Sequence, residues 1–389
     1  MINKRKFTQL VGALALGGLF TAGTAFAQEV VKIGYTGPLS GGAAQYGKNT
    51  LDGLKFAVDE LNEKGFEVAG KKVKFEVVAL DDKYNPSEAA INFQRLVQES
   101  KTPVVMCPHS GGGYAIQTSN ERLNALLLSY TSVPKITESG NKLTMRIPPD
   151  FSTYIKPFVA YSMKRFGKKV AIANADHDYA KAWTALFKPA WEAAGGEVVA
   201  ENPMSYNRST DFYSGVSKAL AGKPDVLFIG GASEPTALVA KQARELGFKG
   251  GFIIMDQAKM NEMKSIVGGY DKLEGSVGVL PVVDSTKPAV KSFVERWYKV
   301  YPGREPGSEA TYNYTAMIAT ANAMKMAGTT TDAMAIRAKL DAAIQALPAS
   351  QNLADYSGLD AKGGSIIDAP VAVIEGGKVK EVKLSELGK

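Results

Sequence analysis

Apolar residues recur along this chain in two alternating rhythms. Residues 30–35 are a β-branched run that reads as a strand and gives way to the loop Gly37-Pro38-Leu39-Ser40-Gly41-Gly42. Leu51, Leu54, Val58 and Leu61 then fall three, four and three apart on one face of a helix, and Gly65 is placed to end it. Residues 73–80 read as the next strand. Asn85-Pro86 opens a second helix, with asparagine as cap and proline in the first turn, and Ala89, Phe93, Leu96 and Val97 form its inner face. Short apolar strands follow at 104–107 and 126–130. The rhythm restarts after Pro148-Pro149, with strands at 169–173, 197–200, 225–229 and 251–255. Helices alternate with them at 178–194, from a cap near Ser209 or Thr210, and at 234–246. Residues 286–301, 308–327 and 331–347 read as helical, and 366–374 returns to strand.

Repeated strand–helix units build parallel sheets covered by helices on both faces. Two successive runs predict an α/β protein with two such sheets, each with its own core. Ligands of such sheets lie beyond the carboxyl ends of the strands, where loops lead into helix starts. Candidate chemistry is therefore sought in loops 37–46, 108–114, 129–133, 176–179, 230–234 and 255–258.

The start of the chain follows neither rhythm. Lys4, Arg5 and Lys6 precede a short apolar run broken by Gly17 and Gly18, and Ala25-Phe26-Ala27 supplies small residues at its exit. These are the parts of a secretory leader, expected to be cleaved after Ala27. A membrane span needs about 18 or more apolar residues in a row. No cysteine follows the cleavage point, so no lipid anchor is expected. What remains of the 389 residues is too long for one small core and favours two domains. The formal charge of +7 is scattered, with three cations in the leader, and no basic stripe with interleaved aromatics marks a nucleic-acid surface. Cys107 is the single cysteine, so no internal disulfide can form. It follows Val104-Val105-Met106 and reads as a buried strand end.

Motifs for catalysis are weak. His109 and His177 stand far apart with no matching Cys or Glu cluster, so no metal site is expected. The chain has no GxxxxGK[ST] loop, no GxGxxG after the first strand and no GxSxG elbow. Ser132-Val133-Pro134-Lys135 has the S-x-x-K spacing, but its proline disfavours the helix that would align Ser with Lys. Asp81-Asp82 suits a capped turn better than a metal pair. The remaining signals concern binding. His109-Ser110-Gly111-Gly112-Gly113 precedes a helix start, where backbone N–H groups and the positive helix end suit a carboxylate.

The loops also carry a resemblance. Tyr35-Thr36-Gly37-Pro38-Leu39-Ser40-Gly41-Gly42-Ala43-Ala44-Gln45-Tyr46-Gly47 resembles the opening of the leucine/isoleucine/valine-type solute-binding proteins, which deliver ligands to ABC importers. The likeness continues through Gly53, Ala57, Asn62 and Gly65, through Asp81-Asp82 with Asn85-Pro86, and through Ser132-Val133-Pro134-Lys135-Ile136-Thr137. It goes on with Asp178-Tyr179, Thr210-Asp211-Phe212 and Lys241-Gln242-Ala243-Arg244-Glu245-Leu246-Gly247. The resemblance implies a type I periplasmic binding protein fold: two doubly wound parallel-sheet lobes joined by a three-crossover hinge. Lobe 1 would take residues 28–148 plus 282–352, and lobe 2 residues 149–281 plus 353–389, with crossings near 147–149, 280–281 and Leu353.

The family's carboxylate seat maps to Ser110 or Gly111 with Tyr130 and Ser132, and its aromatic pocket wall to Tyr46. Tyr179 and Ser233 map to the facing lobe. An acidic residue there holds the ammonium of amino-acid ligands, and its position maps to neutral Gln257, with Asp256 one residue earlier. Gln257, Tyr46 and Tyr130 lead to the expectation of a small carboxylate with an apolar or aromatic body. Branched-chain or other amino acids are the alternative. A monomer in the periplasm is expected, with permease subunits of an ABC transporter as its partners. No cofactor, metal, catalytic residue or nucleic acid is expected. A sensory domain or a secreted α/β enzyme are the rival classes.

Overall fold

The computed structural model describes residues 28–367 and 369–387. The leader expected at 1–27 lies outside the described residues. The first part of the chain contains β1 (Glu29–Gly37), α1 (Ala44–Lys64), β2 (Phe66–Val68), β3 (Lys71–Asp81), α2 (Pro86–Gln98) and β4 (Val104–Cys107). It continues with α3 (Ser110–Gln117), β5 (Leu126–Ser129), α4 (Lys135–Glu138) and β6 (Thr144–Arg146). Its strands pair in the order β2-β3-β1-β4-β5-β6, parallel throughout except where β2 turns back on β3. Asn85 caps α2, accepting hydrogen bonds from Ser87 N at 2.8 Å and Glu88 N at 3.3 Å.

The second run holds α5 (Ser152–Phe166), β7 (Lys169–Ile172), α6 (Asp178–Ala193), β8 (Glu197–Glu201), α7 (Tyr213–Leu220) and β9 (Val226–Ile229). It ends with α8 (Ser233–Glu245), β10 (Gly251–Ile254), α9 (Met260–Val267) and β11 (Ser276–Val279). The helix expected from Ser209 or Thr210 starts later, at Tyr213. Ser209 instead bonds within a local turn, its hydroxyl accepting Asp211 N at 3.2 Å and donating to Asp211 O at 2.9 Å.

The tail returns to the first sheet. α10 (Pro288–Val300), α11 (Ser308–Ala327) and α12 (Ala333–Gln345) share one apolar core with α1 and β1, including Phe56, Phe293, Trp297 and Tyr314. Glu60 on α1 ties this layer together by accepting hydrogen bonds from Arg296, Tyr314 and Gln351. Burial works against its charge, but these bonds and that from Lys64 prevail and hold its carboxyl down at about 2. That stabilisation is complete above the ordinary carboxyl range and is lost as pH falls towards 2.

Two strands, β12 (Tyr356–Leu359) and β13 (Ser365–Ile367), form a hairpin, and β14 (Val371–Glu375) with β15 (Lys378–Val382) closes the chain. The second sheet runs β15-β14-β11-β10-β9-β7-β8. The single strand expected over 366–374 is thus two strands in different layers, parted at Pro370. The third crossing, expected near Leu353, lies instead between Ile367 and Val371. Leu353, Tyr356 and Leu359 pack into the first core, and Leu359 N donates to Asp341 Oδ1 at 2.8 Å, which keeps the hairpin on α12. The other two crossings run from Arg146 to Phe151 and from Val279 to Val282.

Gly53 in α1 lies against α11, where an added Cβ would stand 2.7 Å from Ala310 Cα. Gly53→Ala adds about 1 kcal/mol of helix propensity but overpacks against backbone, which costs about 1–3 kcal/mol. A net fall in the urea midpoint is expected, and a raised midpoint would show that α1 and α11 can part.

Candidate ligand-binding site

The carboxyl edges of the two sheets face each other across a gap that holds a small cavity. Seven of the nine residues singled out in the sequence line it: Tyr46, Ser110, Tyr130, Ser132, Tyr179, Asp256 and Gln257. Two do not. Gly111 sits just outside, where an added Cβ would be 2.7 Å from Pro86 Cγ of its own lobe and 3.0 Å from Asp178 Oδ2 of the other. Ser233 heads α8 and accepts Lys259 N at 2.9 Å, so its hydroxyl serves the start of α9 rather than the cavity.

On the first-lobe wall, Ser110 Oγ and Thr131 Oγ1 are 2.6 Å apart at the positive end of α3. Ser132 Oγ beside them is buried with no partner. Tyr46 donates to Pro108 O at 2.6 Å, and its ring stands 6.1 Å from that of Tyr130. Burial, first of all, raises the hydroxyl pKa of Tyr46, Tyr130 and Tyr179, so each stays a protonated donor.

On the second-lobe wall, Tyr179 and Trp183 both donate to Asp256 Oδ1, the latter at 3.2 Å. Gln257 is engaged elsewhere: its N–H donates to Tyr179 Oη at 3.0 Å and its side-chain amide to Tyr84 Oη at 3.0 Å. The Lys259 ammonium donates to the carbonyls of Asp256 and Gln257 and so shapes their turn from behind.

Tyr84, His109 and Thr131 were not singled out as cavity residues in the sequence. The Tyr84 ring lies between His109 of the first lobe, at 4.6 Å, and His177 of the second, at 5.0 Å. Both histidines cap helices: His109 Nδ1 accepts Gly112 N at 3.0 Å and His177 Nδ1 accepts Ala180 N at 3.4 Å. Burial pushes His177 down to about 3, so it is neutral. For His109 burial also opposes charge, while Cys107 and Asp82 favour it and raise its pKa. The capping bond nevertheless requires an unprotonated Nδ1, because an imidazolium would set that N–H against Gly112 N–H.

The two histidines, distant in sequence, are therefore brought to one ring, and His109 does acquire a cluster. Asp82, Cys107 and His109 place ligand-type atoms within 4.8 Å of one another. Their bonding capacity is already used. Asp82 accepts from His109 Nε2 at 2.9 Å, Thr36 Oγ1 at 3.1 Å and Tyr84 N at 2.9 Å. A metal would have to break this network, which instead holds Tyr84 at a φ of 63°.

Two α/β lobes with a small polar cavity between them define a clamp-type binding protein. The chain belongs to the periplasmic binding protein family, whose sequence profile matches residues 30–359. It is similar to a leucine-, isoleucine-, valine-, threonine- and alanine-binding protein of Pseudomonas aeruginosa, 25% identical over 329 residues and covering 83% of this chain and 85% of the relative. A Leu/Ile/Val-binding protein of Rhizobium johnstonii is 27% identical over 279 residues, 71% of this chain and 72% of the relative. Among solved structures, the branched-chain amino acid transporter substrate-binding protein LivJ of Streptococcus pneumoniae, in complex with isoleucine, superposes with a TM-score of 0.75 at 24% identity, covering 91% of this chain and 100% of that one. A solute-binding protein of an ABC transporter from R. palustris, in complex with benzoate, gives 0.76 at 19% identity, over 91% and 96%. Among the described residues no helix is long and apolar enough to cross a membrane.

Asp82→Ala strands two buried donors, Thr36 Oγ1 and His109 Nε2, at about 1–3 kcal/mol each where water cannot reach them, and a half-buried one, Tyr84 N. A loss of about 3 kcal/mol or more is expected in urea unfolding. Asp81 is half-buried and accepts from Leu39 N, Lys83 N and Ser40 Oγ, all close enough to solvent for water to replace it. Asp81→Ala should cost clearly less, and equal losses would contradict a dry Asp82 network.

Proposed function

We propose that this protein captures a small α-amino acid with an apolar side chain between its lobes, outside the cytoplasm, and presents it to the permease of an ABC importer. One observation carries the choice of ligand. Among the described residues, Asp256 is the only formally charged side chain lining the cavity, since His109 caps α3 as a neutral ring and no lysine or arginine lines it. Its Oδ1 accepts two hydrogen bonds but no cation is paired with it. An unpaired carboxylate in an enclosed site is costly, and a ligand ammonium removes that cost. The ligand carboxylate then belongs at the opposite wall, on Ser110, Thr131 and Ser132 at the start of α3. Tyr46 and Tyr130 give the side chain flat apolar contact. The names of the relatives, which bind leucine, isoleucine and valine, support this reading.

The expectation from Gln257, an aromatic or aliphatic monocarboxylate, is the second reading. The benzoate complex of a fold neighbour favours it. It would leave the ligand's negative charge facing Asp256 with no compensating cation, which is why we place it second. The expected working form is a monomer in the periplasm, exported by the leader at 1–27.

A thermal-shift panel decides between the two, because a ligand at a hundred times its dissociation constant stabilises by about 2.7 kcal/mol. Leucine, isoleucine or valine should raise the melting temperature and benzoate should not. Asp256→Asn should weaken amino-acid binding by about 3–5 kcal/mol, the loss typical of breaking one buried charge pair. Ser132→Ala should weaken it by about 1.5–3 kcal/mol. A strong shift with benzoate, unaltered in Asp256→Asn, would establish the second reading.

A further inference from the structure

Away from the cavity, the lobes meet at a second polar contact. Glu262 on α9 comes from the second lobe, and Asn49 on α1 with Glu309 on α11 from the first. The Asn49 side-chain amide donates to both carboxyl groups, at 3.0 Å for Glu309 and in a short contact for Glu262. Glu309 and Asn49 are fully buried, and the Oε2 atoms of both glutamates are buried without a partner. Among the described residues the only cation inside this cluster is the buried Lys259, whose ammonium lies 3.9 Å from Glu309 Oε2.

The surrounding groups do not change that balance. Ser233 of α8 adds a neutral hydroxyl to Glu262. Gln45, Glu234, Lys264, Arg304 and Glu305 line the adjoining open cleft. Arg304 there is paired with Asp52, and Glu305 accepts from Asn261 at 3.1 Å. The fully buried carboxyl group of Glu309 and the half-buried one of Glu262, which also borders that cleft, thus share one ammonium, and the amide between them donates one hydrogen bond to each.

We propose that Glu262 and Glu309 hold a single proton between them across the closed interface, so that closing the lobes takes up a proton. The proposal rests on the reading above that ligand capture is lobe closure. Parting the lobes separates the pair and returns Glu262 to water, where its carboxyl ionises in the ordinary range. In the closed form, burial first and Glu309 second push it up to about 8. The proton belongs to the pair as a unit. The sign follows directly: the closed state binds the proton more tightly, so closure is most favoured below the ordinary carboxyl range. It weakens as pH rises towards 8 and is independent of this pair above that. The limit is a tenfold change in affinity per pH unit for one proton fully coupled to binding.

The test is calorimetry with L-isoleucine, or benzoate if isoleucine does not bind, at pH 6 and 7 in two buffers of different ionisation enthalpy. The wild type should take up about one proton per ligand, and its affinity should fall several-fold, up to tenfold, over that unit. Glu262→Gln should bind without proton uptake and with a flat pH profile. Glu309→Gln, which leaves one carboxylate per ammonium, should do the same if the first variant fails to fold. Binding with no more proton uptake than in either variant overturns the shared proton and leaves the carrier reading standing. Failure of both ligands overturns the ligand assignment instead. The pair is then judged by small-angle scattering of the ligand-free protein: a radius of gyration larger at pH 9 than at pH 6 in the wild type, and constant in Glu262→Gln, supports it, and identical profiles refute it.

Discussion

Parallel strands leave their carboxyl ends, and the helix starts that follow, on one edge of the sheet. That constraint places nearly the whole cavity. Tyr84 follows β3, Ser110 follows β4, Ser132 follows β5, Tyr179 follows β7, and Asp256 with Gln257 follows β10. Because both sheets turn this edge to the same gap, the positive ends of α3 and α6 point at one another, each equivalent to about half a positive charge. Asp178, in the first turn of α6, lies between them close to Gly111. The imidazoles of His109 and His177 cap the two helices through Nδ1, and in the proposed reading the positive potential at Ser110 serves the ligand carboxylate.

The same edge explains why polar chemistry at the interface is arranged by lobe. The first lobe offers hydroxyls and a helix end, and the second offers Asp256. In the proposed reading a zwitterion touches groups of opposite polarity on opposite lobes, and only a closed form satisfies both. Lys259 links this cavity to the more distant glutamate pair. It donates to the carbonyls of Asp256 and Gln257 on its own lobe and stands near Glu309 on the other. A buried ammonium in that position fixes the turn presenting Asp256 without entering the cavity, and so leaves the carboxylate unpaired for a ligand.

Most of the fold was legible because the apolar periods change cleanly from strand to helix. β4 and α11 have the ends that their patterns predicted, and Asn85-Pro86 opens α2. What was not legible depends on contacts between distant segments. β2 and β6, of three residues each, are too short for any period, β12 (Tyr356–Leu359) has no continuous apolar run, and the β14–β15 hairpin is not predicted although Gly376-Gly377 is a turn signal. The third crossing is expected too early, near Leu353, because the stretch from Leu353 to Leu359 is apolar enough for either core. In the site, loop position identified the wall residues, but not their partners. Tyr84 belongs to no period, and only the fold shows that two separate helix caps enclose its ring. The choice between Asp256 and Gln257 turns on one residue of register; the Gln257 side chain is bonded to Tyr84 while Asp256 has no ion-pair partner, which is what favours Asp256 in the proposed reading.

The balance between open and closed forms follows from how little apolar surface the lobes share. Each sheet has its own core, and among the described residues few apolar side chains cross: Val133 and Ala232 pack into the core of the opposite lobe and Tyr114 lies against it. The cross-lobe contacts are polar: Tyr84 with Gln257, Asn261 with Glu305, Asn49 with Glu262. Each such bond exchanges for water on opening and contributes only about 0.5–1.5 kcal/mol net. An apolar interface would hold the lobes shut regardless of ligand, whereas this one leaves closure near balance, where a ligand bonded to both walls can shift it. The hinge suits that role. Tyr356 Oη and Ser365 Oγ both donate to Ile147 O, each at 2.8 Å, which binds the hairpin before the third crossing to the first crossing strand. Two of the three connections are thereby coupled, so the lobes can rotate about them while each core stays intact.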